Sequence, residues 1–380
     1  MHRDLGSPQQ RRSAMPVDGS VHAPTAAQRS QSGPKMPWPE RRTSNTPASA
    51  FPGSYPPGMA QRSDSTAVFA NGSISLRLYP HNELDAISIV DQLCTQAAIA
   101  ADVGFDGVMT SEHHGGFAGY LPNPLQTSGF QLASMSRGWA AACPVLLPLR
   151  PVAMLAEEVA WLNARFPGRV GIGVGSGSLP LDFEAMDIDQ STAVDVFKRD
   201  LPRLVEMLSG RELGVINGDR ALRELTTQPI PVISTAMSPA AVRRSAAAGA
   251  GVIYDGGSNP DRLRTLSDAY VEAGGTAPRI LIRRVWLGPP PKEAFEAQFE
   301  VYQSYSTTEA LTHWRDNGWI CGDDGAALAQ ELADALRTTN TSCINLRIHA
   351  PGIAAEAARE QIAVLGAEVL PRLRAELANG

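Results

Sequence analysis

The chain has little of what several function classes require. Its 380 residues hold only four cysteines, Cys94, Cys143, Cys321 and Cys343, too far apart for a CxxC pair or a Cys/His zinc cluster. Such thiols read as reduced, which places the protein in the cytoplasm. No apolar run reaches the roughly 20 residues that span a bilayer. The N-terminus carries Arg11-Arg12 but not the apolar core of an export signal. Charge of one sign is also scarce: the net charge is −6, which gives no footing for nucleic acid or an anionic membrane. Neither partner is expected. A dinucleotide fingerprint is missing as well. The run Gly171-Ile172-Gly173-Val174-Gly175-Ser176-Gly177 fits G-x-G-x-x-G in no register, because the last position falls on Ser176, Ser178 or Pro180. The hydrolase elbow G-x-S-x-G fails too, since Val174 and Ser178 flank Ser176.

Aliphatic residues are sparse in residues 1–71, which are rich in Pro, Ser, Gln, Arg and Gly. Such a segment buries too little apolar area to offset chain entropy, so a disordered extension is expected there. Residues 72–380 read differently. Strand-like runs at 73–78, 105–109, 139–147, 169–174, 231–234, 251–254, 279–287 and 343–348 alternate with helix-length segments. The helices include 87–103, 124–135, 154–164, 194–208, 238–248, 261–273, 326–337 and 354–377. Eight strands alternating with helices predict an α/β protein, a (β/α)8 TIM barrel, in preference to a doubly wound open sheet. Residues 288–320 form an insertion after the seventh strand, with a Pro triplet and a helix. Its Tyr302, Tyr305, Trp314 and Trp319 suit either a lid or a structural decoration.

In a barrel the loops after the strands build the active site. Three motifs sit there. Glu112-His113-His114 follows the second strand. A histidine titrates near neutrality, and at a strand end a proton-transfer role is favoured over a structural one. Metal binding is disfavoured, because adjacent side chains point apart and no third ligand has helical spacing to them. Pro148 and Arg150 follow the third strand, where Arg150 can meet an anion, the edge of a flat ring, or a surface acid. The glycine run follows the fourth strand and suits either a tight turn or close approach to a flat or phosphorylated ligand. Ser238-Pro239 opens a helix after the fifth strand as N-cap and N1, and a helix start attracts phosphate. Gly256-Gly257, after the sixth strand, is a second candidate for phosphate contact.

Taken in order, these residues resemble the bacterial luciferase-like flavin monooxygenases over about residues 73–375. The resemblance includes Gly104-Phe105-Asp106-Gly107, Glu112-His113-His114, Pro122-Asn123-Pro124, Leu147-Pro148-Leu149-Arg150-Pro151, Ala156-Glu157-Glu158, Pro167-Gly168-Arg169-Val170-Gly171, Ser238-Pro239-Ala240-Ala241 and Cys321-Gly322-Asp323-Asp324. It implies a barrel, commonly a homodimer, that uses reduced FMN and O2. Oxygen adds at the flavin C4a to give a peroxide that oxidises a small organic substrate. It also implies His113 as the catalytic histidine with Glu112 beside it. Cofactor contacts are implied for His114, Asn123, Pro148, Arg150, Gly175, Ser176, Gly177, Met237, Ser238, Gly256 and Gly257. The family's flavin-phosphate arginine in the fourth-strand turn is replaced here by Val174, which shifts phosphate binding onto backbone N–H groups and Ser238. With no dinucleotide fingerprint, reduced flavin would come from a separate NAD(P)H:flavin reductase. Two alternatives stay open: part of the superfamily uses coenzyme F420 for hydride transfer, and a degenerate barrel can bind flavin without catalysis.

Overall fold

The structure is a computed structural model that describes residues 66–117, 119–255, 257–305 and 319–378. Nine parallel strands form one sheet: β1 (Ile74–Arg77), β2 (Gly107–Thr110), β3 (Trp139–Leu146), β4 (Val170–Gly175), β5 (Val232–Thr235), β6 (Gly251–Tyr254), β7 (Arg279–Leu287), β8 (Trp319–Gly322) and β9 (Cys343–Arg347). Eight of them close a ring. β1 through β7 pair in chain order, β7 pairs with β9, and β9 returns to β1. These eight are the runs expected from the sequence. β8 lies outside the ring and pairs with the last part of β7, Arg284 opposite Trp319 through Leu287 opposite Gly322. Its Trp-Ile pair was read as the tail of the insertion, because four residues show too little periodicity to mark a strand.

The helices between strands are α1 (Ala86–Val103), α2 (Pro124–Ser134), α3 (Val152–Arg165), α4 (Pro180–Glu184), α5 (Ala193–Met207), α6 (Arg220–Glu224), α7 (Pro239–Ala247), α8 (Pro260–Glu272), α9 (Lys292–Tyr305), α10 (Gly325–Thr339), α11 (Ala355–Val364) and α12 (Leu370–Ala378). Their ends follow local chemistry. Asp85 caps α1 by accepting from Ser88 N, and Gly104 ends it with φ +112° in the left-handed region. Asp324 caps α10. By length and composition α1 alone among the described helices is apolar enough to cross a membrane. In this fold it packs against β2, α2 and α11.

Alternation along the strands divides the interior into two cores. Outward residues such as Ile74, Leu76, Val108, Ile172 and Val174 meet the helices. Inward residues Met109, Trp139, Cys143, Ile233, Ile253, Ile280 and Cys343 fill the lumen together with Phe69. Phe69 is fully buried, and its ring meets that of Trp139 edge-on with centroids 5.0 Å apart. Packing therefore extends ahead of residue 72, where the barrel domain is expected to begin. Residues 66–71 belong to the folded body, because a single aromatic supplies enough apolar area to hold an otherwise polar segment. Residues 1–65 lie outside the described residues.

The glycine run of β4 has a packing explanation over its first half. A Cβ on Gly171 would come within 2.5 Å of Val68 Cγ1, and one on Gly173 would overlap Cys143 Sγ. These two inward glycines make room for the lumen side chains rather than for a ligand.

Candidate active site

Glu112-His113-His114, Pro148 to Arg150, Ser176-Gly177 and Ser238 follow the C-terminal ends of β2, β3, β4 and β5. The Glu112-His113-His114 segment is fixed there by its backbone. Glu112 N donates to Pro144 O at 3.0 Å, and His113 N donates to Leu121 O at 3.1 Å. Its side chains are then held by two carboxylates. Asp182 accepts from His113 Nδ1 at 2.8 Å through one oxygen, and from His114 N at 2.7 Å through the other. Glu112 accepts from Leu146 N, from Arg150 Nη2, and from His114 Nε2 at 3.0 Å. Both acids have no solvent exposure, so both act as fixed acceptors.

This geometry assigns chemistry. An ionised carboxylate only accepts, so the Asp182 bond puts the proton of neutral His113 on Nδ1 and leaves Nε2 as the basic nitrogen. The His113 ring retains 19% exposure and touches Phe117 and Tyr120, with centroids 5.0 and 4.5 Å away. It is oriented from behind and packed on its sides, as a proton-transfer group requires. Glu112 differs. Its oxygens are engaged by the ends of β2 and β3, which casts it as a brace rather than a group that meets a reactant.

Sequence reasoning missed Asp182. It lies 69 residues after His113, on the short helix α4, and only closure of the barrel brings it there. The available signal was a lone acid amid apolar residues in Leu179-Pro180-Leu181-Asp182-Phe183. Arg262 was also missed. Its Nη2 donates to Met237 O at 2.6 Å, which places a guanidinium beside the start of α7.

The candidate cofactor residues divide by what engages them. Arg150 pairs with Glu112 and also borders a cleft of about 450 Å³ shared with Pro148, Ile188 and Arg203. One guanidinium nitrogen braces the acid. His114 is buried against Glu112. Gly175 packs close to β5, where a Cβ would lie 3.0 Å from Thr235 Oγ1. Gly177 has φ +80°, and a side chain there would meet Phe183; Ser176 between them is half-buried. Asn123 is an exposed helix cap whose side chain accepts from Gln126 N at 3.1 Å.

Ser238 is the N-cap of α7, as its Ser-Pro sequence predicts. Pro239 has no N–H, while Ala241 and Val242 donate to Ser238, so the first turn keeps only the Ala240 N–H for a ligand. Gly257 N donates to Asp255 at 2.8 Å, and Gly256 lies outside the described residues. Val174 points into the outer core among the helices, so a longer residue at that position would not reach the mouth. Cys143, fully buried in the lumen, has its thiol pushed up by burial although Arg77 opposes the shift. It stays a neutral thiol and is no nucleophile. Of the insertion, Trp319 stacks on Phe295 of α9, with centroids 3.5 Å apart. The backbone of Tyr302 and Tyr305 lies in α9, and Trp314 lies outside the described residues. Among the described residues no group of three metal-ligating side chains converges.

The family model for luciferase-like monooxygenases matches residues 76–359. The chain belongs to that family. An uncharacterized protein of Mycobacterium tuberculosis is 30% identical over 145 residues, covering 35% of this chain and 48% of its own. The chain thus spans about half the length of that relative. An F420-dependent glucose-6-phosphate dehydrogenase of Nakamurella multipartita is 25% identical over 334 residues, covering 76% of this chain and 94% of its own. Among solved structures, the FMN complex of the oxygenating constituent of 3,6-diketocamphane monooxygenase from Pseudomonas putida is similar in fold. Its TM-score is 0.62 and its identity 17%, over 79% of this chain and 99% of that one. The family's named relatives and neighbours are oxidoreductases.

Proposed function

We propose that the chain is a reduced-FMN-dependent monooxygenase that places one oxygen atom from O2 on a small organic substrate. The observation that carries this reading is the Asp182–His113 pair at the barrel mouth, in a chain of this family. Bound reduced FMN, with O2, supplies the oxidising chemistry. The chain's own residues bind, orient and move protons. His113 Nε2 takes or returns a proton at the reacting centre, and Asp182 fixes the tautomer and aims the ring. Glu112 holds His114 and Arg150 in place. Arg150 and Pro148 line one wall of the ring site, and Gly175 to Gly177 and Met237 line another, where the absence of a Cβ on Gly175 admits a flat group. Arg262, the Ser238 hydroxyl and the Ala240 N–H suit the phosphate, so the cation absent at Val174 comes from α8.

The working form we propose is a cytoplasmic homodimer served by a separate NAD(P)H:flavin reductase. Exposed Phe130 of α2, with Met154 and Trp161 of α3, supports an apolar face for the second copy. A second reading has its own support. The Nakamurella relative is named for F420, and the same His113 would serve hydride transfer to or from that cofactor.

One experiment separates them. Reduced FMN is bound anaerobically, then mixed with oxygenated buffer while the spectrum is followed. A transient species distinct from both reduced and oxidised flavin, lasting longer than with free flavin, supports the monooxygenase. Oxidation at the free-flavin rate, together with tight F420 binding, rejects it for the second reading.

A further inference from the structure

Arg77 of β1 is a cation sealed inside the barrel, and the flavin site as described gives it no task. It is in register with the lumen residue Met109 of β2 and, on its other side, with Arg347 of β9, itself opposite Arg284 of β7. Registered residues on neighbouring strands share a face, so Arg77 projects into the lumen. It is 3% exposed. Its Nε donates to Asn345 Oδ1 at 2.7 Å, and its Nη1 to Cys143 O at 2.7 Å and to Ser111 Oγ. Its Nη2 meets the sulfur of Met109 at 3.7 Å. An amide, a carbonyl, a hydroxyl and a thioether orient the guanidinium but carry no charge. The nearby buried acids of the mouth are engaged elsewhere, Glu112 by Arg150 and His114, and Asp182 by His113. A buried charge held by neutral groups is costly, and a neutral side chain of the same volume would fill the place without that cost. The charge, not the volume, is what calls for a role.

Its position suggests one. β3 shifts its register against β4 between Ala142 and Val145, an irregularity of the kind that re-aims groups beside active sites. Within that step the Cys143 carbonyl accepts from Arg77 and, at 3.1 Å, from Ser111 Oγ. Ser111 is the residue before Glu112. Pro144, the residue after Cys143, accepts from Glu112 N at 3.0 Å. Its Cβ lies 3.5 Å from where a Cβ on Gly175 would stand. The guanidinium therefore backs, from the lumen side, the wall of Pro144 and Gly175 against which the flat ring is placed. Oxidised FMN has a neutral ring. Two electrons and one proton convert it to the reduced anion, whose added charge spreads over N1 and the C2 carbonyl oxygen. A fixed cation in a low-dielectric interior favours the anionic form over the neutral one.

We propose that Arg77 is the buried counter-charge of the reduced cofactor and makes the mouth select reduced over oxidised FMN. It acts through the wall by its field, without touching the ring. This rests on the FMN reading of the mouth and adds to it the residue that sets the redox preference. Such a preference suits a chain that receives its flavin already reduced and must release it oxidised.

The experiment is anaerobic calorimetric titration of the full chain with oxidised and with reduced FMN at one ionic strength. The wild type should bind the reduced form about tenfold or more tighter. In Arg77→Met, close in volume, reduced-FMN affinity should fall by that factor, while oxidised-FMN affinity stays within about twofold. The two-electron potential of bound FMN should drop in step, by about 30 mV for each tenfold of preference lost. Arg77→Lys keeps the charge and should keep the preference. A purely structural brace predicts something else, an equal loss of both forms and an unmoved potential. If Arg77→Met does not fold by circular dichroism, Arg77→Lys decides: preference must survive there whatever happens to the affinity common to both forms. The proposal is overturned if the wild type binds the two forms equally. It is also overturned if folded Arg77→Met keeps the wild-type ratio, or if Arg77→Lys loses the preference. Failure of the FMN reading looks different: the wild type then binds neither form, and both statements fall together.

Discussion

The two ends of the barrel lumen use the same eight strands and opposite chemistry. At the N-terminal end the inward residues are Phe69, Trp139, Ile233, Ile280 and Cys343, packed without a charge among them. Two or three inward steps further on come Arg77, Ser111, Arg284, Arg347 and then His113. Strand alternation fixes which residues face inward, and position along the strand fixes what they are asked to do. The floor excludes water and holds the ring together. The mouth keeps buried charges in place through paired acceptors. A change at the floor should therefore cost stability and spare the site, and a change at the mouth should do the opposite.

The strongest way to break that contrast is Phe69→Ala. The side chain is fully buried between Trp139 and Gly171. Loss of its transfer energy plus the cavity left behind should destabilise the protein by about 3–5 kcal/mol. Urea unfolding reads that cost, and flavin affinity under folding conditions should stay at the wild-type value. A fall in affinity matching the fall in stability would show that floor and mouth are coupled, not segregated.

The same contrast explains what could be read from the sequence. The strands were legible because a parallel barrel buries each on both faces, so they stand out as apolar runs between turn residues. The Ser238-Pro239 helix start was legible because capping is local. What escaped depends on closure. The bond from Asp182 to His113 joins the loops after β4 and β2, and no spacing rule links positions 113 and 182. Glu112 read as catalytic beside its histidine, yet its engagement by Leu146 and Arg150 shows only once β2 and β3 are paired. The alignment of Arg77, Arg284 and Arg347 on neighbouring strands needs register, since the three are unrelated in sequence. Phe69 read as part of a polar tail because a single aromatic carries no period. The glycines of β4 offered two readings, and the packing of Cys143 and Phe69 decides it for Gly171 and Gly173.

At the mouth the sharper test is Asp182→Asn, which keeps volume and shape. The amide still accepts one hydrogen bond but no longer fixes the His113 proton on Nδ1. Nitrogen-15 shifts of the neutral ring should change from the Nδ1–H form to a mixture. Cofactor-dependent turnover should fall about a hundredfold or more, while stability drops by only about 1–3 kcal/mol. An unchanged ring spectrum alongside reduced turnover would mean that Asp182 acts through α4 placement and not through the imidazole.

The smallest effect expected is a pH dependence that belongs to neither end alone. Burial pushes the His349 pKa well below the usual histidine value, and the neighbouring Arg347 and His81 push it the same way. The folded chain therefore binds fewer protons at this ring than the unfolded chain does. Stability from the neutral ring is fully present above about pH 6.5, the unfolded value. It is lost progressively as pH falls below that, with a limiting slope of about 1.4 kcal/mol per pH unit. In His349→Phe, which can still stack on Tyr79, that portion of the acid-side slope should vanish between pH 6.5 and 5, and stability above pH 7 should change little. If the variant's curve runs parallel to wild type below pH 6.5, the ring is not held neutral in the folded chain.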